Sequence, residues 1–189
     1  MPDVFITLGS NVEPETHLRR AVNLLAERFA IRAISRVYET PPINAAGDIA
    51  ADQTPFLNAA LLVDTDLPPH ELKYDVLRPL EAQLGRVRTA DKFAPRPIDL
   101  DIALYGDQVF HDALHGIVIP DPDIVTRAHI ALPLADLAPG FVHPTAGKTL
   151  AEIAAPFAAA PGIRLRADIG LTHASKRRGN EHGSTYHNR

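Results

Sequence analysis

The stretch from Gly85 to Leu104, which reads GRVRTADKFAPRPIDLDIAL, constrains the fold more than any other part of the sequence. In its second half, aliphatic residues alternate with Asp99 and Asp101. Successive side chains of a β-strand point to opposite faces of the sheet, so this alternation predicts a strand over 98–104. The strand would have its aliphatic side chains on one face and both carboxylates on the other.

The two aspartates have the spacing of a cation site. Carboxylates at positions i and i+2 of a strand have Cβ atoms roughly 6 to 7 Å apart. Their oxygens can converge on one hard cation or hold a pair of magnesium ions about 3.5 to 4 Å apart. The preceding loop adds three possible phosphate ligands: Arg86, Arg88 and Arg96. The combination indicates nucleoside triphosphate binding. The alternative is a surface strand whose aspartates pair with neighbouring arginines.

Composition narrows the class of protein. A chain of 189 residues fits one domain with a substantial core, and its net charge of −4 argues against nucleic acid as the main partner. The absence of cysteine excludes disulfides and thiolate chemistry. No apolar run approaches the ~20 residues of a membrane span, and the N-terminus lacks a basic segment. We therefore expect a cytoplasmic protein with no membrane partner, and protein partners are not indicated.

The pattern of apolar residues and turn signals predicts an order of elements along the chain. Strands are expected over 4–8, 31–40, 56–63 and 98–104. The first helix begins at Pro14, and a second follows Pro68 with a kink or a break at Pro79. Residues 43–54 resemble a mobile loop. Later elements are a hairpin over 108–118, a helix over 126–137 interrupted near Pro133, and a helix over 150–159 with a capping box at Thr149.

This order is strand, helix, strand, strand, helix, strand, which matches the split βαββαβ arrangement. We therefore predict an α+β, ferredoxin-like antiparallel sheet with helices on one face, plus an extra hairpin and C-terminal helices. The open face would carry Asn58, Asp99 and Asp101. Residues 1–168 would form a single domain, and the polar stretch 169–189 would be a disordered tail.

Six short blocks carry a resemblance to a known family. They are LGSN at 8–11, YETPP at 38–42, FLNAA at 56–60, the E-x-x-x-G-R-V-R stretch at 81–88, PRPIDLDI at 95–102, and Arg127 followed by LPL at 132–134. In this order and spacing they resemble the 6-hydroxymethyl-7,8-dihydropterin pyrophosphokinase family, over about Phe5 to Ile153. That family transfers a pyrophosphoryl group from ATP to a pterin in folate biosynthesis.

The resemblance implies roles for the charged residues. Asp99 and Asp101 would hold two magnesium ions that bridge the ATP phosphates and the pterin hydroxymethyl oxygen. Glu81 would contact the nucleotide, and Arg88 would belong to a mobile catalytic loop. Three further residues would bind the triphosphate: Arg86, Arg96 and Arg127.

The resemblance also implies a pterin pocket. Thr40, the backbone from Pro41 and Pro42 to Ile43, and the amide of Asn58 would hydrogen-bond the pterin edge. Phe56 would stack on one face of the ring. The residues alone, however, favour a structural role for Asn58, in which its amide satisfies a neighbouring loop.

Besides Phe93 and Ala94 in the flexible loop, where the family usually has a tryptophan and a glycine, two positions depart from the family pattern. Asp121 stands where the family usually has a histidine that contacts an ATP phosphate, which would put an anion beside an anion. His129 stands where a phenylalanine usually forms the second wall of the pterin pocket, and an imidazole offers less area and a charge that varies near neutral pH. A diverged paralogue acting on a related pterin is therefore an alternative.

Two other classes of function are compatible with these residues. The first is a non-catalytic pterin- or nucleotide-binding module, which Asp121 and His129 favour. The second is a metal-dependent phosphohydrolase in which the same aspartates act on water, although no residue in the sequence is indicated as its base.

Overall fold

A six-stranded antiparallel sheet lies at the centre of the fold, in the computed structural model of residues 1–42, 49–50, 53–91 and 94–173. The strands are β1 (Asp3–Ser10), β2 (Ala30–Ile34), β3 (Tyr38–Thr40), β4 (Phe56–Asp64), β5 (Asp99–Tyr105), β6 (Phe110–Asp112), β7 (Ile117–Ile119) and β8 (Arg164–Leu165). The spatial order is β5-β1-β4-β3-β8, with β2 paired to the other end of β4. Strands β6 and β7 form a separate hairpin, as predicted. The order confirms the ferredoxin-like arrangement.

The first two helical segments cover one face of the sheet. They are α1 (Pro14–Arg28) and a segment made of α2 (Pro69–Glu71), a π-helical turn (Leu72–Leu77) and α3 (Arg78–Gln83). Their apolar side chains, such as Leu18 and Leu77, are buried against strand residues such as Ile6, Leu61 and Leu100 in the larger core cluster. Burial of these apolar side chains, rather than helix propensity alone, holds the helices to the sheet.

Part of the opposite face is covered by the predicted C-terminal helices, whose position on the sheet the sequence did not indicate. Helices α4 (Ala128–Leu137) and α5 (Leu150–Ala154) pack Ile130, Leu134 and Leu150 against Phe5 and Leu62 in a second core cluster. The predicted capping box is present, with Thr149 Oγ1 accepting the backbone N–H of Glu152. The rest of this face, toward the C-terminal end of β1, stays open.

The strand predicted over 31–40 is divided into β2 and β3. Between them, Ser35 donates its backbone N–H to the carbonyl oxygen of Ala60 and accepts the Ala60 N–H on its hydroxyl oxygen, at 2.8 Å. Because this side chain takes the place of a backbone acceptor, the chain bends there while β4 keeps its hydrogen bonds. The alternation of residue types along this strand does not reveal that a side-chain hydroxyl replaces a backbone acceptor.

The second helical segment accommodates Pro79 by a change in hydrogen bonding. The Arg78 N–H bonds to the carbonyl oxygen of Lys73, five residues back, which is the spacing of a π turn. The predicted interruption is therefore confirmed as a local widening, with helical structure on both sides. Gly85 follows with φ +90°, a conformation that favours glycine and ends the segment as predicted.

Three predicted features are wrong in detail. A bulge in β5, opposite Phe5 and Ile6, turns Leu104 to the second cluster instead of the face of Leu100. Helix α4 runs through Pro133 without a break, because the buried proline ring removes only one backbone hydrogen bond. The boundary at 168 is too early, since Ile169 and Leu171 are buried in the larger core cluster.

Some expectations lie outside the described residues. They are most of the loop predicted over 43–54 and the tail from residue 174 onward. In the part of the chain that is described, no helix is long and apolar enough to cross a membrane.

Candidate active site

A cleft of about 570 Å³ opens on the uncovered half of the sheet, beside the first turn of α4. Its size is within the range of about 300 to 1,000 Å³ that is usual for small-molecule sites. Most of the site residues predicted from the sequence line it: Thr40, Pro41, Pro42, Phe56, Asn58, Arg96, Asp99, Asp101, Asp121, Arg127 and His129. Ile43, also predicted, lies outside the described residues.

The floor of the cleft is a row of residues that face one another across three strands. Gly9 of β1 is paired with Asp99 of β5 on one side and with Asn58 of β4 on the other. A Cβ atom at Gly9 would lie 3.4 Å from Asn58 Oδ1. The missing side chain therefore keeps the floor open between a carboxylate and an amide. Pairing of Thr7 with Asp101 makes the next row.

Asp99 is held by two arginines. It forms an ion pair with Arg86, and Arg96 Nη1 lies 2.6 Å from Asp99 Oδ2. Burial acts to raise the pKa of Asp99, but the hydrogen bonds and charges of Arg86 and Arg96 outweigh it and lower the pKa below its usual range. The alternative considered for this strand, in which its aspartates pair with neighbouring arginines, is therefore observed for Asp99. The same face of the strand also lines the cleft.

Glu81 lies beneath this arrangement, outside the cleft. It is 1% exposed and accepts the backbone N–H of Leu100 at 2.9 Å. Arg86 Nη1 lies 2.6 Å from Glu81 Oε1, and Arg88 pairs with the other carboxylate oxygen. Burial raises the pKa of Glu81, against the Leu100 hydrogen bond and the charge of Arg86. Glu81 thus positions both arginines beside the strand.

A lysine that the sequence did not indicate completes the charged part of the site. Lys73 projects from the π-helical turn, which packs against β5, and forms an ion pair with Asp101. Its side chain is 15% exposed, and burial lowers its pKa. The Asp101 side chain is 42% exposed, so it is the more accessible of the two aspartates. Lys73 lies 28 positions away and within an apolar helical pattern, so no local signal marks it.

The nitrogen end of the Asn58 side-chain amide has a structural role. Its Nδ2 donates to the Tyr38 carbonyl oxygen at 3.2 Å and to Thr40 Oγ1 at 3.0 Å, and these bonds join β4 to β3. Both amide hydrogens are used in this way, which leaves Oδ1 to act as an acceptor. The two interpretations of Asn58 are therefore compatible.

Phe56 and His129 contribute ring surfaces to the cleft. The Arg96 guanidinium carbon lies 5.8 Å from the centre of the Phe56 ring, which links the aromatic and charged parts of the cleft. Burial, and then the charge of Arg127, lower the pKa of His129. A lowered pKa favours the neutral imidazole near pH 7, which argues against the expected variation of its charge there.

Asp121 has a structural role at the rim. Its Oδ1 accepts the backbone N–H of Asp123 at 2.8 Å and caps the short 3₁₀ helix Pro122–Val125. Burial is the largest influence and raises the pKa of Asp121. Arg127 follows at the start of α4, half-exposed, with its Nε 3.9 Å from Asp123 Oδ1.

A second, smaller cleft of about 270 Å³ adjoins the charged end of the first. Arg96 borders both clefts, and Arg86 and Arg88 line the smaller one. A chain of phosphates could therefore extend from one into the other between three guanidinium groups.

The cleft also contains residues that sequence reasoning missed. Glycine within the LGSN block could have indicated the open floor. The wall made by Phe157 and Ile163 gave no signal, because nothing local distinguishes these positions. Among the described residues, those that line the larger cleft and were not predicted are Thr7, Leu8, Gly9, Asp123, Thr126, Ala128, Ile130, Phe157 and Ile163.

The acidic pair suits a cation whose remaining ligands come from substrate and water. Within the described ranges, no group of three or more His, Cys, Asp or Glu side chains could hold a metal ion. Magnesium, in contrast, is commonly held by one or two carboxylates, and substrate phosphates and water complete its shell. Asp99 and Asp101, which share a face of β5 and line the cleft, meet that requirement.

The fold and the cleft define a ferredoxin-like α+β protein with a site suited to a phosphate-bearing ligand beside a planar one. The chain belongs to the 7,8-dihydro-6-hydroxymethylpterin-pyrophosphokinase (HPPK) family, whose sequence profile matches residues 5–139. It is 40% identical over 156 residues to the 2-amino-4-hydroxy-6-hydroxymethyldihydropteridine pyrophosphokinase of Methylorubrum extorquens, covering 80% of this chain and 91% of that protein.

Two longer proteins are also similar. The folic acid synthesis protein fol1 of Pneumocystis carinii is 34% identical over 154 residues, which span 79% of this chain but 19% of fol1. The crystal structure of Plasmodium falciparum HPPK-DHPS with pterin and p-hydroxybenzoate matches with a TM-score of 0.63 and 16% identity, over 82% of this chain and 42% of that one. That likeness supports the fold.

Proposed function

We propose that the protein transfers the pyrophosphoryl group of ATP to the hydroxymethyl group of 6-hydroxymethyl-7,8-dihydropterin, in folate biosynthesis. The hydroxymethyl oxygen would form a bond to the β phosphorus of ATP. The bond between that phosphorus and the oxygen that bridges the α and β phosphorus atoms would break, and AMP would leave with this oxygen. The observation that supports this best is the row across the floor of the cleft, where Gly9 separates the acidic pair on β5 from the amide of Asn58.

We propose Asp99 and Asp101 as ligands of two magnesium ions. When bound, the ions would neutralise phosphate charge and acidify the attacking hydroxyl. Asp99 already shares its charge with Arg86 and Arg96, and a guanidinium group suits the bidentate recognition of phosphate oxygens. Glu81 fixes the direction of Arg86 and of Arg88, so the arginines need little reorganisation when phosphates arrive.

The pterin is proposed to occupy the other end of the cleft. The acceptor of Asn58, the Thr40 hydroxyl and the backbone at Pro41 and Pro42 would meet the donors and acceptors along its amide-like edge. Phe56 and the neutral imidazole of His129 offer ring surfaces for stacking. Burial of His129 removes its charge and so reduces the cost of placing an uncharged ring beside it.

The proposed reaction depends on positioning and charge neutralisation, and no general base is named. Transfer to an oxygen nucleophile has little covalent chemistry for the protein to supply. Arg127 and Asp121 at the rim would face the nucleotide end of the cleft. Since Asp121 is engaged in capping the 3₁₀ helix, it would contact the nucleotide only at the edge of the site.

The test is a coupled assay for AMP with ATP, magnesium and 6-hydroxymethyl-7,8-dihydropterin. We expect AMP formation that requires the pterin. ATP binding without AMP release would favour a binding module, which the anionic Asp121 at the rim supports as the second candidate. Release of phosphate without pterin would indicate a phosphohydrolase. AMP formation with another pterin only would indicate a diverged paralogue. A cytoplasmic location stays a prediction.

A further inference from the structure

The segment 155–166, here called the C-terminal strap, crosses the apolar end of the cleft although it lies beyond the residues matched by the family profile. It begins with the 3₁₀ helix Ala155–Phe157, which packs beside α4, and it ends in β8. The strap therefore reaches the site through tertiary packing, and none of its residues lies within the family match.

The end of the strap is attached firmly to the sheet. Leu165 and Arg164 pair with Tyr38 and Glu39 of β3, and the Arg166 N–H donates to the Val37 carbonyl oxygen at 2.9 Å. Two ion pairs, from Arg164 and Arg166 to the Glu39 carboxylate, both at 2.8 Å, reinforce this pairing. A segment with this many bonds to β3 has a defined position next to Thr40 and the two prolines that follow.

Two turns in the strap bring its apolar side chains to the cleft. The Ala160 N–H donates to the Phe157 carbonyl oxygen at 3.0 Å, and the Ile163 N–H donates to the Ala160 carbonyl oxygen at 3.3 Å. Phe157 packs on the second core cluster and remains only partly buried, as does Ile163. At Gly162, a Cβ atom would lie 3.4 Å from the Pro41 ring, which shows how closely the strap approaches this edge.

The strap supplies the lining of the cleft with apolar area and no charge. Among the described residues, the ionisable side chains of the lining belong to β5, its preceding loop, the start of α4, and the 3₁₀ helix Pro122–Val125 with its capping residue Asp121. Phe157 and Ile163, together with Pro41, Pro42 and Phe56, form the apolar part. Partly exposed apolar side chains that face a planar ligand gain by further burial, and they discriminate by shape.

We propose that Phe157 and Ile163 are specificity-determining residues that form an apolar wall against the heterocyclic ring of the substrate. This proposal rests on the proposed function, because it takes the ring to be a pterin. It adds that the fit of the ring depends on a segment outside the family match. The strap pairs with β3 and contributes Phe157 and Ile163 to the lining, so we assign its contribution to the pterin and not to the nucleotide.

The test compares Phe157→Ala, Ile163→Ala and Phe157→Leu with the wild-type protein. The dissociation constant of 6-hydroxymethylpterin, a fluorescent probe, is measured by titration in the presence of a non-hydrolysable ATP analogue. We expect about tenfold weaker binding for Phe157→Ala, about 1.4 kcal/mol, and a loss of two- to fivefold for Ile163→Ala. Phe157→Leu keeps most of the apolar area and should lose less than Phe157→Ala. In steady-state assays, KM for the pterin should rise while kcat and KM for ATP change less than twofold.

Leu165→Ala is the matched control, since Leu165 lies on the same strap, is 41% exposed and is absent from the cleft lining. It should bind the probe as the wild type does. Equal binding by Phe157→Ala and wild type, or equal losses in the control, would overturn the proposal, as would a wild-type protein that binds no pterin. A protein that forms no AMP but binds the probe, with weaker binding by Phe157→Ala, would support the wall and refute the transferase.

Discussion

The two ends of the cleft are built in different ways. Most of the charged end comes from one short stretch of the chain, residues 81–101, joined by Lys73 from the neighbouring helical turn and by Asp121 and Arg127 at the rim. The apolar end is assembled from four separate segments, which contribute Pro41, Phe56, His129 and the C-terminal strap. A loop that leads into a strand can bring charges together locally, whereas a wall for a planar ring depends on the tertiary fold.

The two ends also differ in how their parts depend on one another. Arg86 touches Glu81 and Asp99 at once, and Asp99 touches Arg96 as well, so removal of one charge leaves another without its partner. Energies in such a network are not additive. The apolar end consists of side chains that contribute area one by one. We therefore expect large, coupled effects at the first end and small, separable effects at the second.

The largest effect is expected from Glu81→Ala. Because Glu81 is 1% exposed, its removal leaves the Leu100 N–H without its acceptor and leaves the largely buried Arg86 with Asp99 but without Glu81. Loss of one member of a buried ionic network costs about 3 to 5 kcal/mol. The free energy of unfolding, measured by urea denaturation with circular dichroism, should fall by about that amount.

Glu71→Ala is the control for this change, because Glu71 lies exposed on the same helical segment. Its unfolding free energy should stay within about 0.5 kcal/mol of the wild type. If Glu81→Ala also stayed within 1 kcal/mol, a figure well under the roughly 3 kcal/mol expected of a buried network, the charged end would not be a coupled unit.

The next effect concerns catalysis. Asp101→Ala should lower the rate of pterin-dependent AMP formation at least ~10²-fold, the order expected when an electrostatic contribution of ~3 kcal/mol is lost. Asp99→Ala should lower it as much and should also lower the unfolding free energy, since it frees both Arg86 and Arg96. Asp101→Ala should cost less stability than Asp99→Ala, because the Asp101 side chain is 42% exposed and its ion pair is with Lys73 rather than with two arginines.

Asp107→Ala provides the comparison for these two variants, because Asp107 is exposed just beyond β5 and outside the cleft. It should turn over at the wild-type rate. Wild-type turnover by Asp99→Ala or Asp101→Ala would refute their assignment as metal ligands, whatever the stability of the proteins.

The difference between the two ends explains what the sequence could predict. Alternation in β5 indicated the shared face of Asp99 and Asp101, because both the pattern and its consequence are local. The strands and the first two helices followed from the same kind of periodicity. Lys73 could not be found, since its approach to Asp101 depends on how the π-helical turn packs against the edge of the sheet. The same is true of Phe157.

The errors in the predicted fold have a common physical origin. The break at Ser35 and the bulge before Leu104 both change the hydrogen-bond register without changing the types of residue that alternate. Helices α4 and α5 cover the second face because their apolar side chains pack against strand residues that are distant in the sequence. Asp121 is a further case, because its capping bond to Asp123 is visible only once the 3₁₀ helix is known.

Lys73→Met should reveal how the missed lysine acts on the charged end. The ammonium group is paired with Asp101, so a divalent ion must displace it to bind that carboxylate. Removal of the positive charge should tighten binding of Mn²⁺ by about tenfold, or about 1.4 kcal/mol. Calorimetric titration of the protein with Mn²⁺, without nucleotide, measures this directly. Lys148→Met, at an exposed position, should leave the affinity unchanged. Equal or weaker Mn²⁺ binding by Lys73→Met would contradict competition for Asp101.

The smallest effect is expected at the apolar end, from His129→Phe. Burial, and then Arg127, lower the pKa of His129, while Asp123 and Asp99 oppose this in part. The unfolded chain therefore takes up a proton below pH 6.5 before the folded protein does. Stability that is present above pH 6.5 is lost as the pH falls through the lower, folded-state pKa. His129→Phe should lose less stability over that window, in urea denaturation measured at pH values from 7.5 to 5.

The difference between the two unfolding curves isolates His129, because His143, whose pKa burial also lowers, is present in both proteins. His111→Phe is the control, since His111 is exposed in the hairpin and should leave the pH dependence of the wild type intact. An identical pH dependence for His129→Phe and wild type would mean that His129 titrates as it does in water. The apolar end would then be open to solvent around this ring, and the ring could not form a dry surface for the pterin.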